Sequence, residues 1–278
     1  MAARNDRWPG KRRDTMVPKA VWTAQTVVCL MTLTVAASAQ IVEDGLIGYW
    51  SFDPGEVTGT TVTDGTGNND AQIVGSVPLV AGQIGDAVEF DGSEENFVSV
   101  DNPDSFDFNS SFSWNAWIST VDGGSVVAKT GGPGTDGQGP KTLFVIGGAL
   151  TFDTGWVGQF SGSAVADGEW HHVGVTVEVG DGPDPVQLYI DGAPDALDEM
   201  NVNEFPPEPG ELVMIGLDGR ADLEFPPFTG IIDEVGIYNR VLTADEMAQN
   251  FASTTGLVAA VDAVGKVTTI WADLKASR

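Results

Sequence analysis

Between about Gly45 and Tyr238, apolar positions recur every second residue in short runs broken by Gly, Asp, Asn and Pro. In Leu46–Phe52, Leu46, Gly48, Trp50 and Phe52 share one face. In Phe112–Ser119, Phe112, Trp114, Ala116 and Ile118 face one way, and Ser113, Asn115, Trp117 and Ser119 the other. In His171–Val179, His171, Val173, Val175, Val177 and Val179 line one side. A period of two with a polar second face marks half-buried strands of an antiparallel sheet. Asp191-Gly192, after Val186–Ile190, marks a hairpin turn. About a dozen such strands predict an all-β fold, a two-sheet antiparallel sandwich or jelly roll, over residues 40–255.

The pattern changes near the C-terminus. Thr243-Ala-Asp-Glu246 has the form of a capping box, and Met247 and Phe251, four apart, give the following turns an apolar stripe. This predicts one short helix, about Ala244–Ala252, docked on the sandwich. In residues 256–278, Leu257, Val261, Val264, Trp271 and Leu274 recur at near-heptad spacing. They read as a C-terminal helical tail, docked on the sandwich or serving assembly, sorting or partner binding. Val267-Thr-Thr-Ile270 weakens the helix locally.

The first 39 residues have another character. Six basic residues (Arg4, Arg7, Lys11, Arg12, Arg13, Lys19) precede a short apolar run, Thr26–Ala36, and then Ala37-Ser38-Ala39. This is the layout of a secretory signal peptide cleaved before Gln40, with Met1 or Met16 as the start. The protein is therefore expected outside the cytoplasm: secreted, on the cell surface or in the periplasm. No other apolar stretch is long enough to span a bilayer.

Charge then narrows the partners. The chain has 278 residues, with 13 Lys and Arg against 40 Asp and Glu, a net charge of −27. Without residues 1–39 it loses six of those basic and two of those acidic residues and stands at −31. Such a chain repels a phosphate backbone, so nucleic acid is excluded as a bulk electrostatic partner. The one cysteine, Cys29, leaves with the leader, so the mature chain has no disulfide even where one could form.

Seven segments in series carry a resemblance: Leu46-Ile-Gly-Tyr-Trp-Ser-Phe-Asp53, Asp64–Gly75, Phe90-Asp-Gly92, Phe112–Ile118, Trp170-His-His-Val-Gly174, Leu188-Tyr-Ile-Asp-Gly192 and Phe228–Leu242. In this order the chain resembles the laminin G-like, concanavalin A-like lectin/glucanase superfamily of secreted bacterial proteins, over roughly residues 45–252. The resemblance implies a jelly roll of two curved sheets, often with a calcium ion and a glycan or protein ligand. It leaves function open, because the fold hosts lectins, adhesion modules and hydrolases.

The resemblance points to a structural calcium site with Asp64 and Asn68 from an oxygen-rich loop and Asp233 from the closing strand, Asp91 being a weaker candidate. By strand parity Asp233 shares the face of Val235 and Ile237, where a carboxylate needs a partner or a metal. The alternative is that these residues cap turns by accepting backbone N–H groups. His171 and His172 point to opposite faces of one strand and read as structural.

Glucanases of this fold set carboxylates two apart on one strand, and hydrolysis requires such a facing pair. The adjacent pairs Asp233-Glu234, Asp198-Glu199 and Glu94-Glu95 diverge, so no catalysis is expected. A binding module remains, with Trp156 as the best sugar platform beside Asp153, and Trp117 second. The alternative for Trp156 is packing beneath a loop. Two functions stay in contention: a calcium-stiffened module binding an extracellular glycan or surface protein, and a cell-surface assembly protein whose sandwich displays the tail.

Overall fold

In the computed structural model, residues 40–220 and 224–257 are described; the leader and all of the tail but Gly256 and Leu257 lie outside them. Among the described residues sixteen strands follow one another: β1 (Leu46–Trp50), β2 (Val57–Thr58), β3 (Thr61–Val62), β4 (Ala71–Val74), β5 (Leu79–Ala81), β6 (Asp86–Asp91), β7 (Phe97–Val100) and β8 (Phe112–Thr130). Then come β9 (Lys141–Ile146), β10 (Ala149–Asp153), β11 (Gln159–Ala164), β12 (Trp170–Val177), β13 (Asp184–Ile190), β14 (Ala193–Met200), β15 (Leu212–Ile215) and β16 (Thr229–Tyr238). One helix, α1 (Ala244–Phe251), closes the series. No helix among the described residues is long and apolar enough to cross a membrane.

Every pairing is antiparallel. The first sheet runs β5-β6-β16-β8-β12-β13-β14, with β1 beside the far half of β16. The second runs β11-β10-β9-β8-β15-β7-β4-β3-β2. Strand β8 belongs to both: Phe112–Ser119 pairs with β12, and Gly124–Lys129 pairs with β9. Between these halves Gly123 and Gly124 have φ of +100° and +111°, a bend that L side chains resist. A Cβ at Gly124 would stand 2.5 Å from the Phe228 Cα.

The alternation read from the sequence is the core. Phe112, Trp114, Ala116 and Ile118 of β8, Val173, Val175 and Val177 of β12, and Trp50 and Phe52 are all buried in one cluster. Phe108, Phe112 and Trp114 pack as a triangle with centroids 4.9–5.1 Å apart. Each such ring removes a large apolar area from water, worth about 25 cal/mol per Å². Asp191 and Gly192, at φ +52° and +73°, form the expected hairpin turn.

Parity fails in the closing strand. The register of β16 against β8 shifts between Asp233 and Gly236, and Glu234 has φ +53°. Two residues therefore fill the space of one, and Ile232, Val235 and Ile237 all reach the core. Asp233 does not share the face of Val235.

The helix forms as its cap predicts. Thr243 Oγ1 accepts from Glu246 N at 3.2 Å, and the Glu246 carboxylate accepts from Thr243 N at 2.8 Å. Arg240 grips that carboxylate with two bonds of 2.9 and 2.7 Å. Met247 is buried in a small cluster with Val42, Tyr189, Tyr238 and Leu242. Phe251 lies over the first sheet, its ring 5.4 Å from Trp117 and 6.1 Å from His172. Gly124→Ala should cost roughly 2–4 kcal/mol through lost bend geometry, read as a lower urea midpoint. A variant as stable as wild type would show that the bend accepts a side chain.

Candidate functional site

The best-defined site lies at the end of the second sheet where β10 gives way to a 3-10 turn, Gly155–Val157. Asp153 ends β10 and is buried, and its Oδ2 accepts from Gly155 N at 2.9 Å, which fixes the start of the turn. Gly155 has φ +68°, and a Cβ there would stand 3.0 Å from Pro140 Cδ. Thr154 N donates to Gly158 O at 3.1 Å, and Thr154 Oγ1 and Lys141 Nζ both donate to Val202 O. On this anchored turn Trp156 is 63% exposed. It is displayed rather than packed under a loop. Phe205, 39% exposed, belongs to the neighbouring 201–210 loop, whose backbone lies against Gly139. The two loops that carry these aromatics thus approach the same Gly139–Pro140 segment.

Beneath the turn lies a buried ion network that the sequence reading did not foresee. Arg220 bonds Asp153 at 2.9 Å and Asp218 at 2.7 and 3.0 Å, and Thr142 Oγ1 donates to Asp218. The guanidinium carbon sits 3.5 Å from the centre of the Phe225 ring, which in turn packs on Phe144. Burial pushes the Asp153 carboxyl up to about 6 in spite of the pull of Arg220. Two acids share one base here, so Asp153 positions the turn and is not free to meet a ligand. The glycine-rich 131–139 loop is tied in by Gly134 N, which donates to Gly219 O, and by Gln138 N, which donates to Glu211 Oε1.

Trp117 is not a platform. Its outward face is covered by Phe251, it is 5% exposed, and it meets His172 edge-on. His172 is buried, and desolvation lowers it to about 4. His171 sits between Asp191 and Asp167, at 3.1 and 3.2 Å, as a structural residue at the strand start.

The metal candidates do not converge. Asp64 is buried and fully engaged: it accepts from Tyr49 N, Thr66 N, Asn68 N and Asn69 N at 2.8–3.2 Å, and from Thr66 Oγ1. It organises its turn, the alternative raised above. Asn68 is exposed and donates to Thr66 O. Asp91 is exposed at the end of β6, held by Asn96 Nδ2 and Ser93 N, and the Asn96 bond keeps its carboxyl below the usual range.

Asp233 differs. Its Oδ2 accepts from Ile84 N at 3.0 Å, its Oδ1 is buried without a partner, and burial raises it to about 7, with Asp53 adding repulsion. Asp53 Oδ1 accepts from Asp86 N, so two carboxylates stand beside the 82–86 turn. Asp53 was missed, although it ends the Leu46–Asp53 motif. Among the described residues no three His, Cys, Asp or Glu side chains converge as a metal cage.

A carboxylate run was also missed. Glu89-Phe-Asp91-Gly-Ser-Glu94 is a Glu-x-Asp-x-x-Glu run, and Glu89 and Asp91 lie exposed on one face of β6. They line an open groove of about 600 Å³ with Ser119, Thr120, Val121 and Ile231. Asp91 is held low and exposed, the opposite of the raised, apolar-walled carboxyl that a general acid needs.

Two antiparallel sheets that share β8 make this a β-sandwich. The sequence pattern of the concanavalin A-like lectin/glucanases superfamily matches residues 91–248, and the chain belongs to that superfamily. No curated protein sequence matches the chain. Among solved structures it is similar to domain 4 of AbnA, an extracellular arabinanase of Geobacillus stearothermophilus, in complex with arabinotriose. That match has a TM-score of 0.59 and 21% identity over 75% of this chain and 98% of that one. It is also similar to the binding domain of Paraclostridial Mosquitocidal Protein 1, with a TM-score of 0.56 and 19% identity over 75% of this chain and 52% of that one. A third match is the Trypanosoma rangeli sialidase in complex with sialic acid, with a TM-score of 0.57 and 19% identity over 76% of this chain and 33% of that one. At these identities the likeness is one of fold.

Arg220→Met should cost about 3–5 kcal/mol, because it strands two buried carboxylates, and an unchanged melting temperature would contradict the network's role. His172, lowered from 6.5, contributes stability that is fully present above about pH 6.5 and is lost as pH falls toward 4. The difference in stability between wild type and His172→Gln should shrink over that window. A difference independent of pH would show that His172 is not buried neutral.

Proposed function

We propose that this protein is a non-catalytic, exported carbohydrate-binding module that contacts its ligand at the loop end around Trp156. The observation that carries this reading is the exposed indole on an anchored turn. A rigid aromatic gives a sugar ring a flat apolar surface at little entropic cost. The similar AbnA domain, solved with arabinotriose, supports a sugar as the ligand class. The reading as a binder without catalysis is supported by Asp91, whose carboxyl in the groove is held below its usual range by Asn96. Export rests on the leader alone.

Calcium belongs to the same proposal. The buried, unpartnered Asp233 Oδ1 and the neighbouring Asp53 fit a hard divalent cation, which takes carboxylate oxygens. Asp233 and Asp53, with the 82–86 turn beside them, would hold it, and its charge would let Asp233 ionise fully at neutral pH. A second reading, a surface assembly protein that displays its tail, is favoured by one contact: Leu257 N donates to Tyr49 Oη at 3.1 Å, so the tail leaves from a fixed place.

A glycan array should show binding to neutral saccharides, and Trp156→Ala should weaken it about tenfold or more, as expected for a lost stacking surface. Unchanged binding in the variant would move the site elsewhere, and silence across the array would favour the assembly reading. Millimolar calcium should raise the melting temperature of chelator-treated protein at pH 7, and less so in Asp233→Asn. Equal shifts in both would rule out this pair as the site.

A further inference from the structure

Five buried polar atoms with no protein partner come from four residues that line one enclosed pocket. They are Trp117 Nε1, His172 Nδ1, both carboxylate oxygens of Glu234, and Ser253 Oγ. All four residues are at most 5% exposed. The sheet supplies the floor, through Asn115 and Trp117 of β8, His172 of β12, Glu234 and Tyr238 of β16, and Tyr49 of β1. The chain's exit supplies the roof. Asn250 and Ser253 line the pocket, Phe251 lies over Trp117 and His172, and the strap ends where Leu257 N donates to Tyr49 Oη. Gly256 has φ +59°, and a Cβ there would stand 2.6 Å from Glu234 Oε2 and 2.5 Å from Tyr49 Oη, two residues of the pocket.

So many unpaired buried groups in one place point to an occupant. The pocket leaves about 10 Å³ for the centre of a water-sized sphere, room for one small molecule. No Lys or Arg lines it. The indole N–H can only donate, so it turns a positive edge toward the cavity and disfavours a metal cation there. A carboxyl oxygen accepts, and a hydroxyl does either. The occupant must therefore accept from Trp117 and donate to Glu234, and at this size that is water.

We propose that the pocket is a built site for one water molecule that joins Trp117 and Glu234 on the sheet to Ser253 on the strap, clasping residues 252–257 in place. In this clasp Trp117 Nε1–H donates to the water and the water donates to a Glu234 oxygen. Ser253 Oγ completes the water's shell from the strap side. The clasp fixes the point from which the chain leaves the domain, and it does not depend on any sugar being bound.

A high-resolution crystal structure of the full chain should show one water within hydrogen-bond distance of Trp117 Nε1, the Glu234 carboxyl and Ser253 Oγ. A cation at that position, or a collapsed pocket with Trp117 bonded directly to Glu234, would overturn the proposal. Ser253→Ala removes only the strap's side of the clasp and leaves the sheet intact. Hydrogen exchange at the Leu257 amide should then speed up about tenfold, the worth of one bridging bond, while amides of β8 and β12 stay as in wild type. A Leu257 amide that exchanges at the wild-type rate in Ser253→Ala would refute the clasp.

Discussion

One strand holds the two layers of this molecule together. Strand β8 pairs along its first half in one sheet and along its second half in the other, so a bend at Gly123-Gly124 must be accommodated before either sheet can close. The bend brings β8 against the start of β16, where Thr120 Oγ1 donates to Thr229 O at 2.6 Å and accepts from Gly123 N at 2.7 Å. Everything apolar on the inner side of β8 then faces the interior, and the aromatic triangle around Trp114 forms there.

The same strand separates two kinds of outer surface. On the first sheet, the polar side of β8 is roofed by α1 and the strap, which removes Trp117 from any ligand. On the second sheet, the ends of β9 and β10 carry loops tied to one another by Arg220, Lys141 and Glu211. Buried charges of this kind stabilise little in net terms, because desolvation offsets attraction, yet removing one partner is costly. Their consequence here is geometric: the turn bearing Trp156 is held at both ends. A rigid loop loses less freedom on binding than a mobile one, so under the proposed function the acids and bases beneath the turn would aid recognition by holding its geometry.

Much of the fold was legible in the residues. Alternation placed Phe112, Trp114, Val173 and Val175 in the core, Asp191-Gly192 at a hairpin, and Thr243 with Glu246 at a helix start. What failed was information that no local pattern carries. Parity misplaced Asp233 because a bulge at Glu234 consumes one extra residue. Trp117 shares a face with polar neighbours and so read as displayed, but that face is where a helix 130 residues later docks. Asp64 read as a metal ligand because turn-capping and calcium-binding acids look alike in sequence; only its full set of backbone donors separates them. Glu89 and Asp91 are legible by their spacing of two, which puts both on one face of β6.

Contact between the displayed indole of Trp156 and a sugar is the most direct test of the proposed function. Eight tryptophans in the full chain, six of them after the leader, each give an indole N–H resonance, and their shifts on titration with neutral oligosaccharides map contact directly. The account predicts that the Trp156 signal moves saturably while those of the buried Trp50, Trp114 and Trp117 stay fixed. A titration in which Trp156 stays fixed while another indole moves, or in which none moves, would contradict it.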